Sequence, residues 1–163
     1  MSNLGILVPA VENRTSDYRA IYHQHRHRVY SLAFWMTDSE LTAEQLSASV
    51  FLRAFAGSSC PGTEQIDQAL LAEIREITPL GALQLNGTAA PHARSVCGKV
   101  KRVHLERAVV QLPATEKLIF LLHDVEGYDH LRISRLLGIQ ENESRLGLHQ
   151  ARVQIRESVS QMS

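Results

Sequence analysis

Arg145, His149, Arg152 and Arg156 follow one another at steps of four, three and four residues. At about 100° per residue, that spacing gathers all four on one narrow stripe of a helix. Guanidinium groups pair with phosphates and bond guanine edges bidentately, so the chemistry on offer is contact with nucleic acid. A solvated face of a helical bundle can carry the same charges, and spacing alone leaves both readings open. Three histidines form a second cluster, His23, His25 and His27. His23 and His27 have the step of four that lets two rings reach one ion from a helix, but no neighbouring cysteine or carboxylate completes a ligand set. With Arg19, Arg26 and Arg28 they more simply make a basic, pH-responsive face. Cys60 and Cys97 lie far apart and are expected to be plain thiols. His104 and His123 sit beside apolar positions and are read as ordinary. No nucleophile elbow, phosphate-cradling glycine loop or paired-carboxylate motif accompanies the Ser, His and Asp residues. No catalytic residue, metal or cofactor is therefore expected, and enzyme activity is the least supported class.

The elements that would hold the stripe are legible from the apolar spacing. Asp129 can cap a short helix carrying Leu131, Ile133, Leu136 and Leu137, and Gly138 permits the tight turn that follows. Asn142 is then expected to cap a final helix whose inward face is Leu148, Ala151, Ile155 and Val159. Glu141 and Glu143, at its start, either complement the helix dipole or accept from cytosine amino groups. Upstream, Leu105, Ala108, Val109 and Leu112 begin another helix, and Pro113 can sit in the first turn of the next, which runs through Leu118, Ile119 and Leu122 to Gly127.

The first half of the chain has the same period. Tyr18, Ile21, Tyr22, Val29, Leu32, Ala33 and Met36 mark one face of a long helix, with Phe34 and Trp35 at its end read as core. A second helix should begin near Thr42, with Ala43, Leu46, Val50 and Ala54 inward, Phe51 and Phe55 as a neighbouring strip, and Gly57 and Pro61 closing it. A third carries Ile66, Leu70, Ile74 and Ile77 and stops before Pro79. Between Pro79 and Gly98 the periodicity fails, and that stretch reads as an interdomain linker.

No alternating strand pattern or internal repeat appears, so the fold class is all-α. The longest uncharged apolar stretch, Leu118 to Leu122, is far short of the roughly 20 residues that span a bilayer. The run Gly5 to Val11 lacks the flanks of a secretory signal, and the expected location is cytoplasmic. Net charge is zero, but acids dominate from Met36 to Thr78 and bases from His92 to Arg107, an asymmetry of the kind nucleic-acid partners select.

Two blocks of the chain resemble the extracytoplasmic-function branch of the sigma-70 family of RNA polymerase sigma factors. The C-terminal block carries Leu112-Pro113, the FLLHDVEGY run, the LLGI turn and the closing Ala151-Arg152; the N-terminal block carries the YRAIY start, Ala43-Glu44 and the Val50-Phe51-Leu52 run. The resemblance implies two small helical domains: a region 2-like polymerase-docking bundle over 14–80 and a region 4-like helix-turn-helix over 100–163. A flexible linker, 81–99, would join them. It implies DNA contacts from Arg132, Arg135, Ser144, Arg145, His149, Arg152 and Arg156, directed at a −35 element. It implies core RNA polymerase bound through Glu44, Gln45, Ala48, Ser49, Phe51, Leu52 and Phe55, and an anti-sigma partner that holds the protein inactive. Several positions depart from the family's pattern. Gln45, Ala48 and Ser49 replace its polar and acidic residues, the third helix lacks the aromatic and basic residues that capture an unwound strand, Ser144 stands at an expected apolar position and Gly147 at an expected basic one. A sigma-like module that occupies an anti-sigma factor or another protein without initiating transcription is the alternative these departures favour.

Overall fold

The computed structural model describes residues 7–85 and 100–162, and among them every regular element is helical. The chain divides into two compact units, Met1–Ile74 and Arg75–Ser163.

The first unit is built on α1 (Leu7–Thr37), α2 (Glu40–Gly57) and α3 (Thr63–Ile77), the last crossing the boundary between the units. The turn between α1 and α2 is tight. Asp38 takes a left-handed conformation (φ 51°), which an aspartate tolerates better than most residues, and its amide closes the last turn of α1 on Phe34. Ser39, not Thr42, opens α2: its hydroxyl accepts from the Thr42 amide at 3.3 Å. The buried faces follow the apolar period, with Val29, Leu32 and Ala33 of α1 meeting Ala43, Leu46, Val50 and Ala54 of α2 and Ile66, Leu70 and Ile74 of α3 in one core. An aromatic chain runs along the α1–α2 seam, Tyr18 on Phe55 (4.7 Å between centroids), Phe55 on Phe51 and Phe51 on Tyr22 (4.9 Å). Tyr18–Phe55 and Tyr22–Phe51 meet edge to face and Phe51–Phe55 is stacked, and such pairs add to what burial alone contributes. Ion pairs tie α3 to the other helices of this unit: Arg28 of α1 donates to the buried carboxylate of Asp67, and Arg53 of α2 donates to Glu73 at 2.7 Å nearer the surface.

In the second unit, α4 (Arg102–Val110) and α5 (Ala114–Phe120) lead into a wider π-helical turn, Leu121–Val125, followed by α6 (His130–Leu137) and α7 (Glu141–Met162). Leu118, Ile119, Leu122, Ile133, Leu137, Leu148, Ala151, Ile155 and Val159 make its core. The first part of the expected linker is bound to this unit. The Gly81 amide donates to the Thr115 hydroxyl at 3.1 Å, and the amides of Gln84 and Leu85 both donate to one oxygen of Glu116, at 2.5 and 2.8 Å. Glu116 is fully buried; the two backbone donors replace water at one of its oxygens, while the other, Oε2, is buried without a hydrogen-bond partner among the described residues. Residues 86–99, the rest of that stretch with Arg94, Cys97 and Lys99, lie outside the described residues. No described helix is long and apolar enough to cross a membrane.

Candidate nucleic-acid interface

A helix, a glycine turn and a longer helix stand where the sequence puts them. Asp129 caps α6, its carboxylate accepting from the Arg132 amide at 2.8 Å. Gly138 adopts φ 68°, and its amide and that of Ile139 both return to the Ser134 carbonyl, which ends the helix in a left-handed residue at no steric cost. The cap of α7 differs from expectation. The helix starts at Glu141, so Asn142 is already inside its first turn. The side chain of Glu143 reaches back instead to accept from the Gln140 amide at 2.8 Å, half of a capping box. Glu141 pairs with Arg145 one turn on, at 2.5 Å. Both glutamates therefore serve the helix start, in line with its dipole.

Arg145, His149, Arg152 and Arg156 are all exposed on one side of α7, opposite the buried Leu148, Ala151, Ile155 and Val159. Arg135, near the end of α6, is exposed as well. Arg132 is half-buried and lies 3.6 Å above the centre of the Tyr128 ring, a cation–π contact that fixes its direction. Ser144 departs from the expected set. It is completely buried, with its hydroxyl 2.9 Å from Nδ1 of His130, and it cannot touch DNA from there. Gly147 departs also: about 200° round the helix from Arg145, it faces Ile119 and Leu83, and a methyl group in its place would come within 2.7 and 2.9 Å of those side chains. A basic residue has no room at that position, so Gly147 marks close packing of α5 and the 81–85 segment on α7 and leaves no gap in a phosphate-binding face.

Two of the stripe's cations are already engaged. Arg152 donates twice to Asp124, at 3.0 and 2.7 Å, in the bidentate geometry that a guanidinium offers a carboxylate. Asp124 lies 2.7 Å from Nδ1 of His123, whose ring stacks on His130 at 4.6 Å between centroids. A continuous chain, Arg152–Asp124–His123–His130–Ser144, thus joins the stripe to the base of the helix-turn-helix. The hydrogen bonds from Arg152 hold the Asp124 carboxyl below its ordinary range and raise the guanidinium in return. His123, read from sequence as ordinary, is a member of this chain. Its neighbours in sequence gave no period to follow, because the π turn breaks the helical register that places it.

Burial, and then the nearby charge of His123, keeps His130 below its ordinary value of 6.5. The folded protein therefore resists protonation of His130 while the unfolded chain accepts it. As pH falls below about 6.5 the unfolded state binds more protons, and stability of the second unit declines toward the folded value. His130→Gln is expected to flatten the decline in unfolding free energy between pH 7.5 and 5.5, followed by denaturant titration. An unaltered slope assigns the pH response elsewhere.

The expected polymerase-contacting residues of α2 fall into two groups. Gln45, Ala48 and Leu52 are exposed, Leu52 at 74%, and Leu41 extends their line at 66%. Glu44 is exposed on an adjoining face and Ser49 is half-buried. Phe51 is buried at 6% and Phe55 half-buried, both in the aromatic seam, so these two rings hold α1 against α2 and offer little to a partner. Among the described residues no group of three His, Cys, Asp or Glu side chains is placed to hold a metal ion.

Residues 102–155, from the start of α4 to Ile155 in α7, match the family model described as sigma-70, region 4. No curated protein matches the chain. The family match covers the helix-turn-helix and its stripe as far as Arg152, stopping one residue before Arg156; it does not extend to α1, α2 or α3.

Proposed function

We propose that the chain is an alternative sigma factor of the extracytoplasmic-function type, which binds core RNA polymerase and directs it to promoters by presenting α7 to the −35 element. The observation that carries this reading is the outward row Arg145, His149, Arg152 and Arg156 on the second helix of a helix-turn-helix, the first three of them within a segment that matches sigma-70 region 4. Arg132 and Arg135 on α6 supply flanking phosphate contacts. The exposed line Leu41, Gln45, Ala48 and Leu52 on α2 supports docking, since two leucines flanking small and polar residues suit a helical partner. In this reading the protein acts in the cytoplasm without chemistry of its own and is held in check by an anti-sigma partner.

A second reading has one observation in its favour. The exposed side of α3 offers Glu64 and Glu76, with Arg75 as its one arginine and no aromatic residue, a poor surface for an unwound strand. A sigma-like module that binds an anti-sigma factor without initiating transcription would need no such surface. Mixing the purified chain with core polymerase separates the two. Co-elution and promoter-dependent transcripts are expected, and Leu52→Arg should weaken the complex. A stable complex with an anti-sigma domain and none with the polymerase would establish the second reading.

A further inference from the structure

Residues 81–85 form no helix, yet they sit on the second unit as a bound peptide would. Gly81, Leu83 and Leu85 are half-buried while Ala82 and Gln84 are exposed, and that alternation is the period of an extended chain. The Gly81 amide donates to the Thr115 hydroxyl, and the amides of Gln84 and Leu85 share Oε1 of Glu116. All three bonds are accepted by side chains of α5, so the segment contributes only its backbone to them. Leu83 fills the space that Gly147 leaves open beside Ile119. One acceptor stays empty, because the buried Oε2 of Glu116 has no hydrogen-bond partner among the described residues.

We infer that 81–85 is a displaceable strap, and that the surface beneath it, Thr115, Glu116, Ile119 and Gly147, is a docking site for an extended segment of a partner protein. The strap shows what such a segment must offer. It needs two consecutive residues with free amides, which excludes proline at either, and an aliphatic side chain on the residue before them. Backbone bonds of this kind supply affinity, and the sites for alternate side chains supply selectivity. The best occupant carries one donor more than the strap, because a buried acceptor without a donor is a cost that a fuller ligand removes. That requirement favours a partner protein over a second copy of this chain, whose identical strap would leave the same oxygen unfilled. Tethered beside its site, the strap acts at an effective concentration of about millimolar order. It therefore screens the surface from weak ligands and yields to a better one. Neither the exposed line on α2 nor the cationic stripe of α7 takes part.

The test uses the full chain labelled with nitrogen-15 and, as probe, a synthetic peptide of residues 79–85, PLGALQL. Leu83→Asp withdraws the apolar anchor of the built-in strap and leaves α5 and α7 unaltered. The peptide is expected to shift the backbone amide signals of Ile119 and Gly147 in this variant, and to bind it at least about tenfold more tightly than the unaltered chain. The same peptide N-methylated at the residues matching Gln84 and Leu85 can donate neither bond and should not bind. Thermal unfolding checks the fold of Leu83→Asp. Gln84→Pro, at an exposed position, opens the site by removing one donor and gives the same readout if Leu83→Asp unfolds. Absence of shifts in the opened chain, or equal binding of the methylated peptide, overturns the assignment. Concentration-dependent dimers of the unaltered chain that Leu83→Asp abolishes also overturn it, since the strap is then exchanged between copies.

Discussion

Asp67→Ala lowers the unfolding free energy of the first unit by about 3–5 kcal/mol, the cost of leaving one partner of a buried ion pair uncompensated. Asp67 is 3% exposed, and the side chain of Arg28 only 16%. With the carboxylate gone, Arg28 keeps its charge in a site nearly closed to water. One neighbour cannot take over. The other terminal nitrogen of Arg28 lies 3.3 Å from Nδ1 of His25, and a guanidinium only donates, so that histidine nitrogen must accept and the ring is neutral. Burial and then the charge of Arg28 hold His25 below its ordinary value. Trp35, the chain's one tryptophan, lies in α1 and reports unfolding by fluorescence. Replacing both partners by apolar residues, Arg28→Met with Asp67→Leu, should recover most of the loss, because the pair's own desolvation is then removed as well. A cost below about 1 kcal/mol for Asp67→Ala would place the pair among solvent-screened contacts.

The ion pair illustrates what apolar spacing does not carry. Ile66, Leu70 and Ile74 of α3 fall on the buried face that their period dictates, yet Asp67, between them, is buried as deeply. From sequence it counted only toward an acidic segment, because its partner is 39 positions away. Glu116 is a similar case. Nothing in LPATEKL marks a carboxylate that accepts two backbone amides from residues 84 and 85, and those residues lack a period because they form no element. The helices, the Asp129 cap and the Gly138 turn were legible, since each depends on residues within one or two turns of one another.

Within the interface, direction was easier to read than availability. Steps of four, three and four oblige Arg145, His149, Arg152 and Arg156 to share a side, and the buried aliphatic row fixes which side faces out. Ser144 and Gly147 were carried over from a family pattern, and here each has a local use, one bonded to His130 and one giving room to Ile119 and Leu83. Asp124 gave no signal at all, because it reaches the stripe from a π turn whose register differs from that of the helix before it.

That aspartate sets the sign of the remaining prediction. Before Arg152 can hold a phosphate it must leave Asp124, and Arg145 must leave Glu141. Both pairs are solvent-exposed, so each exchange costs about 1 kcal/mol or less. Arg145→Ala combined with Arg152→Ala is expected to lower affinity for duplex DNA about tenfold or more at low salt, and to reduce the slope of log affinity against log salt by about two, near one per lost phosphate contact. Asp124→Asn should act in the opposite direction. It frees the guanidinium and removes a negative charge facing the DNA, so affinity rises several-fold and the slope steepens by about one. Titrations of one duplex across a salt series measure all three proteins. Weaker binding by Asp124→Asn would mean that the carboxylate aims Arg152 at DNA and does not compete for it. Unchanged binding by the double arginine variant would remove α7 from the interface altogether.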